Sequence, residues 1–311
     1  MKKSFVNACF LAPILFLASS GMLLAQTAPA VSELNGKLDY AGGLMNSYEG
    51  HNFDGSIALP VTHQFGFQAD ALYSRISDQD FYGGAGHFFW RDPAIGLVGL
   101  TGGYLYRDGV DTFQVGAEGE YYLDCFTFGA FAGVGQINYA NPAPFIDTNP
   151  TRFVGSVSAG CYPVSNLLVS ASYTTAFREN MVKGNLEYQT PIRGLAFTAE
   201  AALGDNGYDH LLFGVRYYFG ANKSLRERQR QDDPPGLMHQ ILYGLGLYGA
   251  EFNRKESAYV LAHQGSGNSG DSGGSYGVVI TTYTGGSYGV VNTTYSPPPI
   301  TPIPNPVLIN P

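Results

Sequence analysis

Charge is what this chain most lacks: Asp, Glu, Lys and Arg make up 14% of its 311 residues, against about a quarter in an ordinary soluble domain. Trp occurs once and Cys three times. Acids outnumber bases for a formal net charge of −8, and nothing concentrates Lys and Arg enough to follow a phosphate backbone, which argues against nucleic acid as a partner. Long apolar runs are missing too. Beyond the N-terminus no stretch has the roughly 18 consecutive apolar residues of a helical membrane span. What the chain has in quantity is Gly, at 41, with 22 Tyr and 20 Phe. Scarce charge with abundant aromatics and Gly suits a wall that meets lipid on one face.

The first 25 residues read as a secretory signal peptide. Lys2 and Lys3 form a charged n-region, an apolar h-region runs from Phe10 to Leu24, and small residues follow. Ala25 is the favoured position before the cut, with Ala28 and Ala30 as alternatives; an uncleaved anchor helix is the competing reading. Cys9 lies too early to be a lipoprotein cysteine. Residues 26–35 are then a periplasmic lead, and Cys125 and Cys161 are the cysteines of the mature chain.

From Gly36 to Gly220 apolar and polar residues alternate. Successive strand side chains point to opposite faces, so this is the pattern of half-apolar strands. In Phe113 to Tyr121, Phe113, Val115, Ala117 and Tyr121 share one face, and Gln114, Glu118 and Glu120 the other. Met181–Gln189 and Leu195–Leu203 repeat the pattern. About twelve strands follow, near 36–45, 53–63, 65–76, 80–91, 94–107, 111–122, 125–139, 151–162, 166–177, 180–190, 194–204 and 208–219. Each can supply the 9–11 or so tilted residues that cross an outer membrane. An even count with close spacing predicts an all-β, antiparallel up-and-down transmembrane barrel. Closure is required, because an open edge in lipid would strand unpaired backbone groups. The longest connection, Asn138 to Thr151, falls on the external side if the N-terminus starts in the periplasm.

Leu211 to Phe219 resembles the C-terminal recognition strand of bacterial outer-membrane proteins: Gly214, Tyr217 and Phe219 match its Gly, aromatic and closing Phe. The resemblance, to small porin-like barrels of Gram-negative outer membranes, covers Gly36 to Phe219. It implies outer-membrane lipid and the barrel assembly machinery as partners. In most such proteins the closing Phe ends the chain, whereas here residues 220–311 follow. A soluble β-sandwich is the alternative fold, but Tyr73, Phe88, Trp90, Tyr104, Tyr106, Tyr121, Tyr173, Tyr188 and Tyr217 crowd near strand ends, as interfacial girdles do.

Residues 221–264 read as a charged, solvated stem from Asn222 to Pro235, then an apolar, Gly-broken stretch from Leu237 to Tyr248 that suits a short amphipathic surface helix or an extra strand pair. Residues 265–311 are low-complexity. The unit Gly273 to Thr284 recurs almost unchanged from Gly285 to Ser296, and a Pro-rich run closes the chain. Disorder is expected there, and an even strand number puts this tail, like the N-terminus, in the periplasm, where it could meet a cell-wall or periplasmic partner.

If the apolar alternates face lipid, the opposite ones line the lumen. The candidates are Lys37, Asp39, Asp70, Arg91, Glu118, Glu120, Lys183, Glu187, Glu200 and Arg216, with Gln68, His87, Gln114, Arg152 and His210 alongside. Such groups are costly against hydrocarbon and acceptable in a wet interior. By the same parity Leu72, Phe81, Phe89, Tyr122, Phe131, Leu212 and Tyr218 point inward and narrow or divide the lumen. Two readings follow. In one, opposed charges form a polar pathway for passive diffusion of small hydrophilic solutes and ions, needing no cofactor. In the other, they form a salt-bridge network inside a closed barrel that anchors an interaction tail. Enzyme readings are weaker. No Ser and His share an outward face as in barrels resembling the outer-membrane phospholipase, since His87 and His210 fall inward and His51 and His63 at connections. No His/Cys/Asp spacing suggests a metal. Cys125 and Cys161 meet near the periplasmic rim and are a candidate disulfide in an oxidising compartment, though parity points Cys125 inward and Cys161 outward.

Overall fold

The computed structural model describes residues 28–264 except Pro142 and Pro235; the proposed signal peptide and the low-complexity tail lie outside the described residues. Among the described residues twelve strands form one closed antiparallel barrel, each paired with its sequence neighbours and β1 with β12. They are β1 (Asn35–Met45), β2 (Tyr48–Pro60), β3 (Phe65–Ile76), β4 (Gln79–Asp92), β5 (Gly96–Arg107), β6 (Val110–Leu123), β7 (Phe126–Tyr139), β8 (Thr151–Val164), β9 (Leu167–Ala176), β10 (Glu179–Gln189), β11 (Leu195–Gly204) and β12 (Asp209–Phe219). Closure runs from Gly36 opposite Phe219 to Met45 opposite His210. Against the sequence reading, β2 starts five residues earlier, so His51 lies on a strand rather than at a connection.

Most connections are tight. Asn46 and Ser47 both take positive φ (50° and 68°), as do Phe177 and Arg178 (56° and 82°). Two consecutive left-handed residues match the twist of the flanking strands. A bulky residue rarely accepts that conformation. Phe177 does so with its ring fully buried, its centroid 5.8 Å from that of Tyr248. The longest connection, 140–150, lies at the mouth opposite Asn35, as expected.

The outer wall carries exposed Leu38, Phe53, Ile57, Leu100, Val157, Val182, Leu203 and Phe213. Aromatic residues gather at both ends of this band. Phe88, Tyr121, Tyr188 and Tyr217 lie toward the Asn35 mouth; Tyr73, Tyr82, Tyr104, Tyr106 and Tyr173 lie toward the other. These are the two girdles of a barrel seated in a bilayer. No described helix is long and apolar enough to cross a membrane.

The interior departs from the sequence reading. After Phe219 the chain does not leave the barrel. It forms a short helix, α1 (Leu225–Gln231), against the Asn35 mouth, and then a 27-residue helix, α2 (Met238–Gln264), within the lumen. Leu237 to Tyr248 is therefore neither a surface helix nor a strand pair. The Asn222–Pro235 stem is not solvated throughout either: Arg228 and Asp232 are each 1% exposed.

Candidate functional site: the occupied lumen

From the Asn35 mouth inward, the first layer is a seal built by the N-terminal lead and the stem. Ser224 caps α1 through a capping box with Glu227, and hydrogen bonds from Ser224 hold the Glu227 carboxyl below the usual carboxylate range. Arg228 donates to the carbonyls of Phe219 (3.2 Å) and Ala221 (2.8 Å), and its guanidinium lies 4.7 Å from the Tyr218 ring centre. Those carbonyls lie just where the barrel wall ends, so Arg228 ties α1 to the rim. Arg230 reaches the Phe126 carbonyl at 2.7 Å. The Ser32 amide and hydroxyl both donate to Asp232, which also receives Lys223 at 2.5 Å. Val31 packs with Ala58, Phe89 and Leu97 inside the mouth.

The second layer brings the sequence-predicted charges together. Lys37 pairs with Asp233 of the stem at 2.7 Å. Arg216 bridges Asp39 and Glu187, the latter at 2.6 Å, and Tyr218 donates to Glu187 at 2.6 Å. Glu120 lies 3.9 Å from Arg91 and accepts from Tyr122 at 2.7 Å. Deeper, the His87 ring lies between Asp70 (2.9 Å) and Glu118 (3.0 Å). Asp70 also accepts from Gln68 and from the Leu237 amide at 3.2 Å. That amide precedes the first turn of α2, where backbone N–H groups lack helical partners and negative charge is stabilising. A carboxylate of the wall thus caps the helix of the lumen.

Along α2 the wall contacts stay polar for about two turns. His239 faces Asp54 at 3.4 Å, and Gln240 accepts from Ser156 at 3.1 Å. Tyr243 donates to Glu200 at 2.6 Å, which also meets Lys183 (2.5 Å) and His210 (3.0 Å). Beyond this the character changes. Met45, Ile76, Phe81, Leu105, Ile137, Val154 and Phe177 close around Ile241, Leu242, Leu245, Tyr248 and Phe252 in one buried cluster. The helix is apolar nearly all round because the wall surrounds it. Its glycines fall at close approaches. A Cβ on Gly246 would lie 2.7 Å from the Tyr208 ring, and one on Gly244 3.3 Å from the Ala176 methyl. At the far mouth the Tyr248 hydroxyl donates to the Asp147 carbonyl at 2.5 Å and Arg254 to Asn206 at 2.7 Å.

All ten charged candidates thus lie inside the wall, nine of them in pairs or triads with other wall groups and Lys37 with the stem. Arg152 sits at the far rim and meets Asp147 at 3.0 Å. Of the inward bulky residues, Leu72, Phe81, Phe131 and Leu212 belong to the cluster around α2, Phe89 packs on the lead, and Tyr218 on α1. Between α2 and strands β5–β8 a cavity of about 80 Å³ remains, lined by Glu118, Glu120, Ser156 and Gln240, room for two or three waters. Gly214, Tyr217 and Phe219 lie on β12, the last two with their rings stacked edge-on at the rim. His51 is outward, its ring against the Tyr40 hydroxyl (2.9 Å) and Glu49. The Cys125 and Cys161 sulfurs lie 3.0 Å apart as free thiols. Parity misjudged them because Cys125 falls in the turn and β8 has a register shift just after Cys161.

No protein family profile and no curated protein matches this sequence. Solved structures of similar architecture include a KdgM porin in complex with disordered oligogalacturonate, at 10% identity and a TM-score of 0.46, covering 59% of this chain and 99% of that one. A NanC porin aligns at 9% identity and 0.45, covering 58% and 98%. The outer-membrane protein Omp33 of Acinetobacter baumannii aligns at 14% and 0.38, covering 60% and 96%. With its closed wall, apolar exterior and paired aromatic girdles, this chain is a closed twelve-stranded antiparallel barrel whose outer face suits lipid.

Proposed function

We propose that the protein is a porin-like channel for small hydrophilic solutes that its own C-terminal helix holds shut. The observation that carries this reading is the position of α2 on the axis of a charge-lined wall. Lys37, Asp39, Arg91, Glu120, Glu187 and Arg216 supply the opposed charges that replace part of a solute's hydration in a polar pathway. The stem and α2 complete their pairing, through Asp233 on Lys37 and the Leu237 amide on Asp70. Conduction therefore requires that the helix be out of the way. The apolar half of the lumen favours the shut state, because withdrawing α2 exposes that surface to water.

Planar-bilayer conductance of the mature chain, compared with a chain ending at Gly220, tests the proposal. Heat-modifiable gel mobility verifies that each barrel is closed. The full chain is expected to be silent and the shortened barrel to show discrete steps. Steady porin-like conductance from the full chain removes the plug from the account; a closed, inserted, shortened barrel that stays silent removes the channel. Asp70→Asn in the full chain gives a second reading of the same question, through brief openings as the cap on α2 weakens.

A further inference from the structure

The course of α2 has a consequence for the residues beyond it. The helix begins beside Asp70 and Gly83, near the middle of the wall. Fourteen residues later Phe252 stacks on Tyr139 and meets Phe145 edge-on at the mouth opposite Asn35, with ring centroids 5.4 and 5.1 Å away. That is about 21 Å of helix rise, enough to cover the remaining half of the barrel. Tyr259 still touches Phe145 of the 140–150 connection, at 5.5 Å, and by Leu261 the helix is exposed. Gln264 therefore emerges on the side of the long connection, not on the side of Asn35 and Gly220. The even strand number does return Gly220 to the N-terminal mouth, but the chain then turns back through the lumen. The end of the barrel wall therefore does not by itself set the side on which the chain after Gln264 lies.

We infer that the barrel is a conduit that places the chain after Gln264 on the cell surface while the N-terminal lead stays in the periplasm. Two features hold this topology. A return through the lumen is blocked, because α2, the stem and the lead fill it, and the cavity beside Ser156 and Gln240, about 80 Å³, is too small for a second chain. A return through the bilayer needs an apolar span of about 20 residues, and residues 265–311 contain none: Gly, Ser, Thr and Pro interrupt them throughout. The orientation follows from the loops, since outer-membrane barrels turn tightly on the periplasmic side and carry their longer connections outside. Here 140–150 is the longest and lies beside the exit of α2. The tail, with its two copies of Gly-Gly-Ser-Tyr-Gly-Val-Val, is then a surface segment, and its partners are sought outside the cell rather than in the periplasm.

The test uses the full chain, exported in a Gram-negative host, with one epitope tag per variant: after Pro311, within 140–150, or before Ser32. Antibody binding is measured on intact cells and again after outer-membrane permeabilisation. The C-terminal and 140–150 tags are expected to label fully on intact cells, and the lead tag only after permeabilisation. A C-terminal tag protected together with the lead tag overturns the proposal, as does an accessible lead with a protected 140–150 tag. A Ser156→Cys, Gln240→Cys pair, expected to be bridged in whole cells by a short bis-thiol reagent because the Ser156 hydroxyl meets the end of the Gln240 side chain at 3.1 Å, verifies that the helix is seated in the molecules scored. The topology and the conductance are read separately, so a barrel that never conducts leaves this result intact, and a mislocated tail leaves the channel proposal intact.

Discussion

Gly246→Leu should unseat the lumen helix. The position is half-buried on α2, and a Cβ there would lie 2.7 Å from Cε2 and 3.5 Å from Cζ of Tyr208. The ring has little room to retreat: Tyr208 is 2% exposed, and its hydroxyl is bonded to His210 Nδ1 at 3.1 Å. Overpacking of this kind costs about 1–3 kcal/mol. Replacing Gly in a helix contributes about 0.8–1 kcal/mol in the opposite direction. For Ala the two nearly cancel, so Gly246→Ala should leave the helix seated. The three further carbons of Leu have no space, and the upper end of the overpacking range applies. The net loss is then about 2 kcal/mol, which shifts the seated-to-unseated ratio about thirtyfold. The readouts are opening frequency in planar bilayers and the yield of the Ser156→Cys, Gln240→Cys cross-link; opening should rise and cross-linking fall together. Gly184→Ala, where nothing lies within 4 Å of the added carbon, is the control. A Gly246→Leu barrel that stays silent with undiminished cross-linking would falsify the close-packing argument.

Other positions give independent checks. His87→Leu leaves Asp70 and Glu118 facing each other with the imidazole gone, and removing one partner of a buried charged group costs about 3–5 kcal/mol; the urea midpoint of the heat-modifiable folded band should fall, and an unchanged midpoint would count against a cohesive role for the triad. Cys125 and Cys161 should form a disulfide in protein recovered from the periplasmic route, seen as two thiols blocked to alkylation until reduction. Closing that loop contributes about 3–4 kcal/mol in the chain-entropy view, and free thiols in oxidised protein would refute it. Glu227, whose carboxyl is held low by Ser224, adds stability to α1 that is complete above its unfolded value near 4.3 and is lost as pH falls through its lower folded value. The protection factors of amides 225–231, corrected for the pH dependence of intrinsic exchange, should therefore fall on acidification in the wild type. Ser224→Ala should lose about 0.5–2 kcal/mol of cap at neutral pH and show a flatter acid response.

The wall was legible because its code is local. Alternation such as Phe113, Val115, Ala117 against Gln114, Glu118, Glu120 is written in adjacent residues, and lipid outside with polar groups inside leaves little freedom in reading it. All twelve strands appear where the alternation puts them, within a few residues of their ends. The charges of the inner half were legible for the same reason: parity alone sends Lys37, Asp39, Glu187 and Arg216 inward. Their pairings were not, since Arg216 finds Asp39 only through closure of β12 onto β1. Cys125 and Cys161 show the limit of parity, which fails at a turn and a register shift.

The lumen helix was misread for a physical reason that leads back to function. Amphipathic helices announce themselves by one apolar stripe, but Met238 to Phe252 is apolar on nearly every side, with Gly244, Gly246 and Gly249 where a stable isolated helix would have Ala. On its own such a segment would be a poor helix in water. Enclosed by strands it needs no polar face, and glycine lets it approach the wall. The wall carries the matching signature. Toward the Asn35 mouth the inward residues include the paired charges Lys37, Asp39, Arg91, Glu120, Glu187 and Arg216 beside Phe89 and Leu97. Toward the other mouth Met45, Ile76, Leu105, Ile137, Val154 and Phe177 predominate, with Arg107 and His210 among them. A permanently water-filled pore would be expected to stay polar along its whole length. The change from charged to apolar occurs where α2 passes from its polar contacts at His239, Gln240 and Tyr243 into the cluster around Leu245 and Tyr248. Wall and helix therefore share one pattern. Inward apolar residues concentrated in one half of a barrel, followed by a Gly-rich apolar stretch after the closing strand, are a sequence sign that the barrel is filled by its own chain.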